Sequence, residues 1–104
     1  MKQTVQLDMI LATVEEVTGV SEREMSDRIK SLRINTARGV YFLVARQYGF
    51  HPYDVAKRLN RSRASCIITT KQYRWYYQCG DKSVVELVDK VRDIINNSNN
   101  IYNI

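Results

Sequence analysis

Between Arg28 and Arg74 the chain carries eleven Lys and Arg residues against a single carboxylate, Asp54. The other ten acids lie outside that span, which leaves a local charge of +10 in 47 residues of a protein whose net charge is only +5. Solubility needs no more than interspersed signs, whereas a block of one sign is an electrostatic footprint for a polyanion, with DNA or RNA the first candidate. Inside the block, Asn60-Arg61-Ser62-Arg63-Ala64-Ser65 holds the residue types that read a duplex. Arg63 can donate two hydrogen bonds to a guanine edge, and Ala64 or Ile68 can touch a thymine methyl. Arg61, Lys71 and Arg74 suit phosphate contacts, which position a protein without specifying sequence.

Other chemistries lack their residues. His51 is the only histidine and precedes Pro52, a place for helix capping or solvent exposure, and no second His or Cys completes a zinc set. No clustered Ser, His and Asp arrangement occurs, so neither an enzyme nor a cofactor is expected. No run of about 18 apolar residues and no basic-then-apolar leader is present, so the expected location is the cytoplasm, without membrane contact. Cys66 and Cys79 are accordingly expected to be reduced.

The elements that must position the basic block read as helices. Four Gly and one Pro among 104 residues are few turn formers for a β chain, and the apolar residues recur at 3.6-residue spacing. The pattern predicts an all-α fold of about six helices forming one domain over residues 1–95, with a disordered Asn-rich tail over 96–104. A first helix spans about 4–18, carrying Leu7, Ile10, Leu11, Val14 and Val17 and stopped by Gly19. Ser21 and Glu24 form a capping-box pattern for a short helix over 21–27. Residues 28–35 read as a basic loop. Thr36 is the expected cap of a third helix with Val40, Leu43, Val44 and Tyr48, ended by Gly49. Pro52 opens a fourth helix through Leu59, Ser62 caps a fifth from Arg63 to about Gln78, and Ser83 caps a last one bearing Val84, Leu87, Val88, Val91, Ile94 and Ile95.

Residues 53–73 have the layout of a helix-turn-helix: Val55, Ala56 and Leu59 inward, a three-residue turn at Asn60, then Cys66, Thr69 and Tyr73 inward. That phase directs Arg63, Ala64, Ser65 and Ile68 outward from the start of the second helix, where such motifs meet base edges. Tyr73, Trp75, Tyr76 and Tyr77 form an aromatic cluster read as core packing against the last helix.

The stretch from about Met9 to Tyr73, about two thirds of the chain, resembles the carboxy-terminal DNA-binding domain of the bacterial replication initiator DnaA, a Trp-repressor-like helix-turn-helix. The landmarks are Ala12-Thr13-Val14-Glu15, Val20-Ser21 before a short helix, the basic loop from Arg28 to Arg38, Leu43-Val44-Ala45-Arg46, and Leu59-Asn60-Arg61-Ser62-Arg63-Ala64-Ser65. The family's Gly-Arg-Asp-His-Thr-Thr signature is replaced here by Asn60 through Ser65, with one residue fewer in the turn. The resemblance implies a loop cation in the minor groove, here Lys30 or Arg28, backbone roles for Arg38 and Arg46, and Arg61 as the signature arginine. No glycine-rich Walker-type loop occurs, so a DNA-binding module without ATPase chemistry is expected.

The expected function is sequence-specific binding of double-stranded DNA, in replication-initiation control or transcriptional regulation. Its expected contacts are Arg28, Lys30, Arg33, Arg38, Arg46, Arg61, Ser62, Arg63, Ala64, Ser65, Ile68 and Lys71. Two rivals stand beside it: binding of RNA or single strands through the aromatic cluster, and an interaction module in which residues 83–95 form a homodimer seam.

Overall fold

The computed structural model describes residues 5–28 and 31–101. All regular structure among them is helical: α1 (Leu7–Thr18), α2 (Glu22–Ser26), α3 (Leu32–Gln47), α4 (Pro52–Arg58), α5 (Arg63–Gln78) and α6 (Lys82–Ile101). None of these helices is long and apolar enough to cross a membrane.

Helix α3 is the axis of the fold and packs on each of the other five. Every residue from Ala37 to Ala45 is buried, including Tyr41 and Phe42. A helix covered on all sides has no polar face, which is why its sequence shows so weak a 3.6-residue stripe. Burial raises the Tyr41 phenol above its ordinary pKa, and its hydroxyl is satisfied by donating to the Val55 carbonyl of α4 at 3.0 Å. At Gly39 the Tyr73 ring of α5 lies against the backbone of α3, and a Cβ there would lie 2.5 Å from that ring.

Short local signals set most helix ends. Gly19 (φ 72°) stops α1, and at Ser21 both halves of the capping box form with Glu24. Pro52 occupies the first turn of α4, whose N-cap His51 accepts from the Tyr53 amide through Nδ1. Helix α4 ends in a Schellman turn, in which the Arg61 amide reaches the Ala56 carbonyl at 2.9 Å and the Asn60 amide reaches that of Lys57 at 3.0 Å. That turn requires a left-handed residue, supplied by Asn60 at φ 55°.

Several boundaries differ from those expected. Helix α1 begins at Leu7, and residue 4, where it is expected to start, lies outside the described residues. Helix α3 begins at Leu32 with Ser31 at its N-cap, not at Thr36. The basic loop is therefore shorter than residues 28–35, because Ile34 and Ala37 join the core and hold the first turn in place. Asp81 rather than Ser83 caps α6, its carboxylate accepting from the Val84 amide at 3.2 Å. Of the tail expected over 96–104, residues 96–101 continue α6, with Asn96 tied to α3's end by the Tyr48 hydroxyl at 2.7 Å, and residues 102–104 lie outside the described residues. Val84, Val88, Val91 and Ile95 are buried against the chain's own core, so the stripe expected to join two copies over residues 83–95 is occupied within one.

Candidate nucleic-acid interface

Helices α4 and α5, joined at Asn60, build the expected helix-turn-helix, and its inward face is Val55, Ala56, Leu59, Cys66, Thr70 and Tyr73. Thr70, not Thr69, is the inward threonine, at 3% exposed. It lies four residues from Cys66, one helical turn on, and their Sγ and Oγ1 atoms are 3.8 Å apart. Burial pushes the Cys66 thiol up, against that hydrogen bond. Both cysteines are free, Cys66 buried and Cys79 exposed. Of the aromatics, Tyr73 is buried and Tyr77 half-buried, its hydroxyl donating to Asp89 at 2.7 Å, while Trp75 is 61% exposed.

With that phase set, α5 turns Arg63, Ala64, Ile67, Ile68, Lys71, Gln72, Arg74 and Trp75 to solvent. Ser62 is exposed and caps the helix by accepting from the Ser65 amide at 3.1 Å, and Ser65 is half-buried beside it. Ile68 is 68% exposed and Ile67 45%. Ile67 and Trp75 were missed as part of this ridge, although counting turns from Cys66 would have placed them there.

The cations divide by what they meet. Arg28 is exposed in the loop after α2, and Arg61 is half-buried beside it, its guanidinium 3.4 Å from the Asp27 carbonyl. Arg28, Arg61, Arg63 and Lys71 meet no carboxylate in an ion pair among the described residues. Lys30 lies outside the described residues.

Arg33, Arg38 and Arg46 are engaged within the fold. Arg33 is on the first turn of α3, donating to the Gly19 carbonyl at 2.7 Å and to Glu24 at 3.3 Å. Arg38 is only 6% exposed. It donates to the carbonyls of Met25 and Asp27, each at 2.8 Å, and to Asn35 Oδ1 at 2.9 Å, clasping the end of α2 to α3. Desolvation first, and then the neighbouring Arg61 charge, pull its pKa below the ordinary arginine value. Arg46 is half-buried and donates to the Phe50 carbonyl across the α3–α4 turn. Arg38 and Arg46, expected in DNA-backbone roles, thus donate to carbonyls of the chain itself.

Two connected recesses flank this ridge on the side facing α3. One, of about 510 Å³, is lined by Arg28, Arg38, Asn60, Arg61 and Ser62. The other, of about 700 Å³, runs on between α3 and α5 to the start of α6. Among the described residues no group of His, Cys, Asp and Glu is arranged to hold a metal ion. No protein-family model matches the chain, and no curated protein matches it by sequence.

Proposed function

We propose that this chain binds double-stranded DNA sequence-specifically, laying the outward ridge of α5 in the major groove with the α2–α3 loop against the adjoining backbone. The observation that carries the reading is the α5 ridge: a capped helix start bearing Arg63, Ala64, Ile68 and Lys71, all exposed, with no acid in its first turn. A groove-inserted helix needs that combination, since base edges are met by residues of the first turns and phosphates by flanking cations.

The order of elements also supports the resemblance to the initiator's DNA-binding domain. A short capped helix leads through a basic loop to a buried central helix, and the helix-turn-helix follows. On this reading the process served is replication-initiation control or transcriptional regulation.

Selection from a random duplex library, followed by titration against salt, tests the proposal. With Arg28, Arg61, Arg63 and Lys71 as phosphate or groove contacts, log K falls against log salt with a slope of roughly −3 to −4, at about −0.9 per neutralised phosphate. A slope near zero, or a library that returns no preferred sequence, overturns it.

A further inference from the structure

The recesses beside α5 differ in chemistry from end to end. The smaller is lined by three arginines, Arg28, Arg38 and Arg61, with Asn and Ser side chains and no carboxylate. The larger shares Asn35, Arg38, Arg61 and Ser65 with it and then becomes aromatic and aliphatic, with Leu32, Tyr73 and Tyr76 among its walls. Leu32 is 83% exposed at the first position of α3, an aliphatic side chain with no structural burial to explain it. Tyr73 and Tyr76 stand edge to face at 5.2 Å between ring centroids. Gln72 donates to the Tyr76 hydroxyl at 2.9 Å. Asp81 is the acid at the far end, occupied in capping α6.

A cationic recess running into an aromatic one matches the two halves of a nucleotide, phosphate and base. The volume of about 700 Å³ falls within the roughly 300–1,000 Å³ of small-ligand sites. A paired base cannot use it. Ser65, Thr69 and Tyr76 lie on the flank of α5 turned toward α3, with Gln72 at its edge, and a base of a duplex enters a space between two helices only after it is unpaired and flipped out of the stack. An unpaired base can.

We propose that this trough is a second nucleic-acid site, one that takes single-stranded polynucleotide, with a phosphate at Arg61 and Arg28 and a base against Tyr76 and Leu32. It goes beyond the duplex reading and borders that surface at Arg61. A strand bound there leaves duplex DNA where pairing has opened, so the two sites together suit a junction between paired and unpaired nucleic acid.

Trp75, the only tryptophan, reports on the site because its ring lies 5.8 Å from that of Tyr76. Short oligothymidylate and oligouridylate are titrated separately while Trp75 emission and the anisotropy of labelled strand are followed, the two probes distinguishing a DNA from an RNA strand. The expected result is saturable quenching. Tyr76→Ala and Leu32→Glu each weaken strand binding by about tenfold or more, as loss of a stacking platform does, while duplex affinity stays near the parent's. Arg63→Ala, on the ridge, leaves strand binding in place.

Leu32→Glu removes an exposed side chain and puts an acid at a helix N-terminus, where it is favourable, so it keeps the test decisive even if Tyr76→Ala unfolds. The proposal is overturned if the Leu32→Glu variant binds strands as the parent does. It is equally overturned if Arg63→Ala lowers strand and duplex affinity by the same factor, since the strand is then using the duplex surface. Strand binding sensitive to Leu32 in a protein with no duplex affinity supports this site and overturns the duplex reading instead.

Discussion

Arg58, in the last turn of α4, donates to Asp8 of α1 at 2.6 Å and to Glu22 of α2 at 3.0 Å. Arg63, in the first turn of α5, meets no carboxylate in an ion pair among the described residues. Five positions and one turn separate them, and the turn reverses their surroundings. Acids of α1 and α2 cover the face that Arg58 reaches, and they raise its pKa above the usual arginine value by hydrogen bonding. The face of α5 looks away from them. Among the described cations, Arg33, Arg38 and Arg58 meet groups of α1, α2 or the turns that follow them, whereas Arg28, Arg61, Arg63 and Lys71 meet no carboxylate in an ion pair.

The sharpest way to break this division is Arg38→Met. Removing its three donated bonds leaves the buried carbonyl of Met25 and the part-buried one of Asp27 without that partner, and stability in urea should fall by about 3 kcal/mol. A variant that stays as stable as the parent yet loses duplex affinity returns Arg38 to the binding set.

Gly39→Ala follows, because it attacks the seat of α5 on α3. A methyl 2.5 Å from the Tyr73 ring forces the helices apart, costing about 2 kcal/mol as overpacking typically does. An unchanged melting temperature would mean that Tyr73 swings away freely and that α5 is not seated there.

Arg63→Ala should alter stability by less than about 0.5 kcal/mol while removing about 1–3 kcal/mol of discrimination at one base pair of the selected site. Uniform weakening on every duplex makes Arg63 a phosphate contact and shifts base reading to Ala64, Ser65 and Ile68. Arg58→Ala is its mirror image. It should cost about 1 kcal/mol, the upper end for partly exposed pairs, diminish with added salt, and leave sequence preference alone.

The smallest effect is the pH response of the α2 cap. The Ser21 backbone amide, followed by Arg33, holds Glu24 below its ordinary value of 4.5. A carboxylate with a lowered folded-state pKa stabilises above its unfolded value and loses that contribution as pH falls through the folded one. The melting temperature should therefore drop on acidification below pH 4.5 more steeply in the parent than in Glu24→Gln. Parallel curves would detach the cap from the charge of Glu24.

Much of this architecture could be read from short signals. Gly19, the Ser21–Glu24 box, Pro52, Asn60 and Ser62 each act within a few residues of themselves, so helix ends at those points follow from local chain geometry. Two caps lie elsewhere than at the expected Thr36 and Ser83: burial of Ile34 draws the start of α3 back to Leu32, and the Asp81 carboxylate, which accepts from the Val84 amide, starts α6 at Lys82, ahead of where a Ser83 cap would. The expected inward Thr69 is off by one residue in helical phase, since the position four after Cys66 is Thr70, which is the buried one.

The candidate surface divides in the same way. A basic span centred on a helix-turn-helix is a property of residue order, since charge and helical period are both carried along the chain. Which arginines remain available is not. Arg38 and Arg61 look alike in sequence and line the same recess, yet Arg38 is 6% exposed with its guanidinium clasped by the end of α2 and Asn35, while Arg61 is only half-buried. Asp8 and Arg58, fifty positions apart, become partners only when α1 and α4 both pack on α3. Neutralisation depends on distances of a few ångströms between segments remote in sequence, and only the tertiary structure sets those distances.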